Sequence, residues 1–161
     1  MRIVAMLNQK GGVGKTTTTV NLGSILAAEH GKRVLMIDID PQGNLTDHLG
    51  MDPMSVEKSI YDIIIDGAQP KDILANASGL DLIPAGIDLA GAEVQLAMMT
   101  VRETRLRNAM RGFCRNYDVA LIDCPPSLGL LTLSALCLAG EVIVPMQAEY
   151  LTLRGLSQLT H

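Results

Sequence analysis

Residues 8–18 read Asn-Gln-Lys-Gly-Gly-Val-Gly-Lys-Thr-Thr-Thr, and the apolar run Ile3-Val4-Ala5-Met6-Leu7 stands directly before them. An apolar run that stops at a glycine-rich turn and restarts as a helix-forming segment is the layout of a strand–loop–helix unit. Gly11, Gly12 and Gly14 lack a Cβ, so several backbone N–H groups can turn inward on a polyphosphate. Residues 15–29 carry Val20, Leu22, Ile25 and Leu26 as an apolar stripe, which predicts a helix. Its first amides and its dipole would face the anion. Lys15 is placed to neutralise the β- and γ-phosphates, and Thr16 to ligate Mg²⁺ through its hydroxyl. A plain glycine-rich turn explains the glycines, but not a Lys-Thr pair at the phosphate end of a helix.

The ordinary phosphate-loop pattern asks for a glycine where this chain has Gln9. What fits instead is Lys-Gly-Gly-x-Gly-Lys-Thr, a deviant Walker A loop with an extra lysine, Lys10, near its start. This form points to a nucleotide switch that dimerises. As an exposed loop charge, Lys10 needs no further explanation. Beside a phosphate shared across a two-fold axis, it would stabilise transition-state charge in the partner's site, as an arginine finger does.

Composition narrows the class. At 161 residues the chain is one domain, residues 1–161, large enough for a sizeable core. With one Phe, no Trp and three Tyr, that core must be aliphatic, and the nine Met residues are read as filler. The net charge of −4, without a polybasic run, does not favour nucleic-acid binding by this segment alone. Cys114, Cys124 and Cys137 have no C-x-x-C spacing, so they form neither a disulfide framework nor a zinc site. A reducing cytoplasm is the expected location. No signal peptide is expected, because the first residues already read as a core strand. The richest apolar stretch, 128–138, is too short and too interrupted by Thr and Ser to span a membrane.

Strand-like and helix-like segments alternate. Strands are expected at 3–7, 33–37, 80–84, 119–122 and 142–145. Helices are expected at 15–29, 44–50, 56–65, 88–99, 102–117 and 130–139, with Gly31 closing the first. In 102–117, Leu106, Ala109, Met110 and Phe113 share a face opposite several arginines. The alternation implies an α/β fold: a mostly parallel sheet covered by helices on both faces. The last stretch, 151–161, reads as the opening of another helix, and a strand at 142–145 would lie at an unprotected sheet edge. The expectation is the front portion of a longer, C-terminally truncated domain.

Three further segments converge on the loop. The second strand ends in Asp38-Ile39-Asp40-Pro41-Gln42-Gly43-Asn44, and the carboxyl ends of parallel strands are where such sheets bind ligands. Period-two geometry puts Asp38 and Asp40 on one side: one could hold metal-bound water and the other could orient the attacking water. The same residues are also ordinary turn formers, and the two readings are compatible. The fourth strand closes in Asp123, the Walker B arrangement in which a carboxylate meets the Mg²⁺ shell. Cys124 is read as a buried, inert thiol. Residues 147–150, Gln-Ala-Glu-Tyr, could form a segment that senses the γ-phosphate, or a plain solvated loop.

These segments together resemble the ParA/Soj/MinD family of deviant Walker A ATPases. The motifs are Asn-Gln-Lys-Gly-Gly-Val-Gly-Lys-Thr-Thr, Asp-Ile-Asp-Pro-Gln-Gly-Asn, Glu-Thr-Arg-Leu-Arg, Ile-Asp-Cys-Pro-Pro-Ser and Gln-Ala-Glu-Tyr-Leu-Thr-Leu. The second and last favour the ParA/Soj branch. The resemblance implies a P-loop NTPase fold and Mg²⁺-dependent ATP hydrolysis. It assigns ATP to Lys10, Gly11, Gly12, Val13, Gly14, Lys15, Thr16 and Thr17, with Thr17 at the α-phosphate and Lys10 reaching the partner subunit's phosphates. Thr16 would ligate Mg²⁺, Asp38 and Asp123 would contact it through water, and Asp40 would position the hydrolytic water. The implied cycle is ATP-driven homodimerisation, non-specific DNA binding through residues beyond this chain, and hydrolysis stimulated by a ParB/Spo0J-like partner on the nucleoid. A MinD-like ATPase acting on membranes and an iron–sulfur carrier are the competing classes that share the loop.

Overall fold

The computed structural model describes residues 1–147. Six strands form one sheet: β1 (Arg2–Met6), β2 (Val34–Asp38), β3 (Ala75–Ala77), β4 (Leu80–Ile83), β5 (Val119–Asp123) and β6 (Glu141–Ile143). Their spatial order is β3-β4-β2-β5-β1-β6. β5 lies between β1 and β2, parallel to both, and β4 and β6 continue the parallel pairing on either side. β3 runs antiparallel to β4. The helices are α1 (Lys15–Ala28), α2 (Asn44–His48), α3 (Ala92–Ala97), α4 (Arg105–Cys114) and α5 (Leu130–Leu138).

Alternation along the strands divides the core in two. Ile3, Ala5, Leu35, Ile37, Ala120 and Ile122 face one side and pack with residues of α3, α4 and α5. Val4, Met6, Val34, Met36 and Leu121 face the other side, under α1 and α2. Strands buried on both faces read as continuous apolar runs, and Val34-Leu35-Met36-Ile37 is such a run. The architecture is the expected mostly parallel sheet with helices on both faces, a P-loop NTPase layout.

Three residues of the expected stripe on α1, Val20, Leu22 and Leu26, pack against the core, but the innermost line of the helix is a different one. Lys15, Thr19 and Gly23, one every four residues, are buried, while Ile25 is 44% exposed. A Cβ on Gly23 would lie 2.6 Å from Met36 Sδ, so α1 rests almost directly on β2 there. Close approach to the sheet at Gly23 sets the innermost line, and Val20, Leu22 and Leu26 pack beside it.

Other boundaries moved for local reasons. β2 extends to Asp38, which pairs in register with Asp123. β3 was not expected: Ala-Asn-Ala has no strand-favouring residue, but Ser78 and Gly79 both have positive φ and turn the chain tightly back into β4. Of the helix expected at 56–65, only its end forms, running into a π-helical turn at Asp62–Asp66. Arg105 donates to the carbonyls of Ile64 (2.6 Å) and Ile65 (3.0 Å) at that turn. The 88–99 and 102–117 segments begin as 3₁₀ turns, and their α-helical parts shorten to α3 and α4. Among the described residues β6 is the last strand on its side of the sheet, and its residues are exposed. The helix expected at 151–161, and Ala148, Glu149 and Tyr150, lie outside the described residues.

Candidate functional site

The loop after β1 is shaped by glycines at two left-handed positions, Gly12 (φ +71) and Gly14 (φ +89). Gly14 caps α1, its carbonyl accepting the Thr18 N–H at 2.9 Å. No atom would touch a Cβ built on Gly11, Gly12 or Gly14, so conformation rather than crowding calls for glycine at Gly12 and Gly14. A buried asparagine anchors the start of the loop: Asn8 Oδ1 accepts the Lys10 N–H at 2.9 Å, and Asn8 Nδ2 donates to the Pro145 carbonyl at 2.8 Å. Beyond β6, Gln147 Nε2 donates to the Gly12 carbonyl at 3.3 Å, and Gln147 Oε1 accepts from Lys10 Nζ at 3.5 Å. The segment after β6 thus touches the loop itself.

Below the loop, Thr16 Oγ1 donates to Asp123 Oδ2 at 2.6 Å, and Thr19 Oγ1 lies 3.4 Å from Asp123 Oδ1. Asp123 is fully buried; burial raises its pKa to about 6, against the bond from Thr16 and with the charge of Asp40 adding to the rise. Its register partner Asp38 is equally buried and raised further, to about 7, first by burial, with Thr46's hydrogen bonds opposing and the Asp123 charge assisting. Two neighbouring carboxylates in a low-dielectric setting favour an added positive charge. Lys15, only 8% exposed, is the nearby cation that lowers the Asp123 pKa.

Asp38 is also engaged by its own loop. Its Oδ1 accepts the Asp40 N–H at 3.1 Å, and its Oδ2 accepts the N–H and hydroxyl of Thr46 at 2.8 and 2.7 Å. Asp40 Oδ1 caps the Gln42 N–H at 2.9 Å, the turn that Asp-Pro-Gln-Gly announced. Asp40 itself reaches a cavity of about 330 Å³ lined by Gly11, Gly12, Gly14, Lys15, Thr16 and Thr17. The structure therefore brings Lys15, Thr16, Asp40 and Asp123 together at the carboxyl ends of β1, β2 and β5. Val13 is buried, Lys10 stands at the loop's outer side near Gln147, and Asp38 lies beneath the turn.

Gln42, Asn44, His48 and Pro126 complete the cavity wall and were not singled out by sequence. Thr19 was missed although its spacing of four from Lys15 puts both on one helical face. Cys124 is buried in the core on the α3–α5 side of the sheet, its thiol pushed well above the usual range by burial. No helix among the described residues is long and apolar enough to cross a membrane.

A family model described as an AAA domain matches residues 1–161. The sporulation initiation inhibitor protein Soj of Bacillus subtilis is 54% identical over 160 residues, covering 98% of this chain and 63% of that protein. The chromosome partitioning protein ParA of Myxococcus xanthus is 48% identical over 162 residues, covering 99% of this chain and 57% of that protein. A crystal structure of cobyrinic acid a,c-diamide synthase from Mycobacterium smegmatis, with bound ATP analog and magnesium, is 46% identical with a TM-score of 0.94, covering 99% of this chain and 66% of that one. This chain spans less than two thirds of the length of each of these three.

Proposed function

This chain belongs to the ParA/Soj/MinD family of AAA-domain proteins, and on that premise we propose that it is the nucleotide-binding and nucleotide-hydrolysing part of a partition ATPase of the ParA/Soj kind. The observation that carries the reading is the 2.6 Å bond from Thr16 to Asp123, beneath a glycine loop that ends in buried Lys15 and beside the Asp40 cavity. A hydroxyl and a carboxylate are hard oxygen donors. They suit Mg²⁺, which keeps several waters and shares its shell with substrate phosphates. Bound there, Mg²⁺ would neutralise charge on the β- and γ-phosphates.

The protein's own groups divide the remaining work. Backbone N–H groups of Gly11, Gly12, Val13 and Gly14 cradle the phosphates, Lys15 offsets their charge, and Thr17 stands at the α-phosphate. Thr16 and Asp123 would hold the metal, Asp38 would support it through water, and Asp40 would orient the water that attacks. Lys10 lies at the outer edge of the loop, where it serves the phosphates of a second subunit. ATP as the nucleotide is supported by the M. smegmatis relative, solved with an ATP analog and magnesium. The relatives named chromosome partitioning protein ParA, the M. xanthus one at 48% identity among them, support chromosome partitioning as the task. The proposed cycle is ATP-driven homodimerisation, non-specific DNA binding, and hydrolysis stimulated by a ParB/Spo0J-like partner on the cytoplasmic nucleoid.

The test is the full-length protein with Mg²⁺ and either ATP or ADP. Molar mass by light scattering should double with ATP alone. Phosphate release should be slow, and should rise when DNA and the cognate ParB-like protein are both added. A protein that binds ATP yet stays monomeric and indifferent to that pair would overturn the partition reading.

A further inference from the structure

Thr46, in the first turn of α2, is fully buried and lies off the nucleotide loop, yet its polar atoms tie separate segments together. Its hydroxyl donates to Asp38 Oδ2 at 2.7 Å, and its N–H donates to the same oxygen at 2.8 Å. The hydroxyl oxygen also accepts the Ala85 N–H at 3.0 Å, which roots it just beyond the end of β4. Across the carboxylate, Asp38 Oδ1 accepts the Asp40 N–H at 3.1 Å. A continuous line of hydrogen bonds therefore runs from Ala85 through two buried side chains to the backbone of Asp40. On the neighbouring strand Asp123, in register with Asp38, is held by Thr16 and Thr19 of α1. One carboxylate of the pair secures the loop helix, and the other secures the turn that carries Asp40.

We propose that Thr46 is a positioning residue for hydrolysis: its hydroxyl fixes Asp38, and Asp38 fixes the backbone from which Asp40 reaches the cavity. The proposal rests on the reading of that cavity as an ATP site. Asp40 stands two residues beyond the last residue of β2. Bonds to Asp38 and within the turn therefore set its backbone, rather than a strand ladder. In a low-dielectric interior a fully satisfied network of this kind holds a single geometry. A group that orients an attacking water needs that constancy, since an error of about 1 Å costs roughly a hundredfold in rate.

Thr46→Val matches the shape while removing both the donor and the acceptor; Thr46→Ala removes them without the added branch; Thr46→Ser keeps them. In the full-length protein under Mg–ATP, kcat should fall roughly a hundredfold in the Val and Ala variants. KM for ATP and affinity for ADP should stay unchanged, and Thr46→Ser should restore the rate. A packing role alone would lower Tm and leave kcat per folded molecule intact. Full kcat in a folded Val or Ala variant overturns the proposal, as does a parallel loss of ATP affinity. Failure of both to fold while the Ser variant folds makes Thr46 a folding residue and overturns it too. If the unsubstituted protein releases no phosphate from ATP, the ATPase reading falls, and this inference with it.

Discussion

Thr16 Oγ1 and Asp123 Oδ2 are 2.6 Å apart, a donor on the first turn of α1 bonded to an acceptor at the last position of β5. That contact joins the loop helix to the central strand at the residues proposed to hold the metal. Asp123→Asn keeps the shape and removes the charge. The Mg²⁺-dependent part of ATP affinity should fall roughly ten- to a hundredfold, measured by titrating fluorescent ATP with Mg²⁺ and again with a chelator. An equal loss with the chelator present would reduce Asp123 to a packing role.

Lys15 is held at 8% exposure at the start of α1 and lines the cavity beside the loop. Lys15→Ala should abolish measurable ATP binding, because the phosphates lose their nearest fixed positive charge. Calorimetric titration checks this; unchanged affinity would end the phosphate-loop assignment.

Much of this was legible because it is local. The loop, the Asp-Pro-Gln-Gly turn and the carboxylate at the end of an apolar run are set by residues close in sequence, and spacing alone locates them. Thr46 and Asn8 could not be read that way. Thr46 acts on Asp38 eight residues back and on Ala85 39 residues ahead, and Asn8 on Pro145 137 residues ahead. Such bonds exist only once the sheet order is fixed. On α1 the apolar Val20, Leu22 and Leu26 pack as the sequence suggests, whereas the innermost line, set by the close contact of Gly23 with Met36, depends on the sheet beneath it. β3 is held by its turn and its neighbour rather than by its own residues, so propensity gave no sign of it.

Gly43 meets two constraints at once. Its φ is +63, and a Cβ would fall 2.7 Å from the ring of Pro53. Gly43→Ala therefore adds left-handed strain and a clash against a stiff ring. The expected loss is about 1–3 kcal/mol, read from the urea midpoint. An unchanged midpoint would show that the 40–46 turn tolerates a side chain there and that Pro53 yields.

The buried carboxylates predict an unusual pH response. In the unfolded chain both titrate near the ordinary value of about 3.9, whereas the folded chain raises Asp123 to about 6 and Asp38 to about 7. Between those values the folded state holds protons the unfolded state has released, so unfolding free energy falls as pH rises. Their contribution is complete below the unfolded values and lost as pH climbs through the folded ones. The nucleotide-free protein should thus have a higher Tm near about pH 5.5 than near about pH 8, and Asp38→Asn should flatten the slope. A Tm that climbs with pH over this range, or a slope untouched by Asp38→Asn, would contradict the assignment.

Asp40 separates binding from chemistry. Its carboxylate borders the cavity and caps the Gln42 N–H, while the phosphate cradle is built from the loop after β1. Removing it leaves the loop and Lys15 in place but takes away a carboxylate that lines the cavity. Asp40→Ala in the full-length protein should keep ATP affinity and ATP-dependent dimerisation while phosphate release drops to the uncatalysed background. Locking in the ATP form is the direct consequence, so the variant should remain dimeric long after the unsubstituted protein has returned to monomer, a decay that light scattering can follow. A variant that stays monomeric with ATP would show that Asp40 serves assembly instead, and one that hydrolyses at the unsubstituted rate would move the water-orienting role to another wall of the cavity.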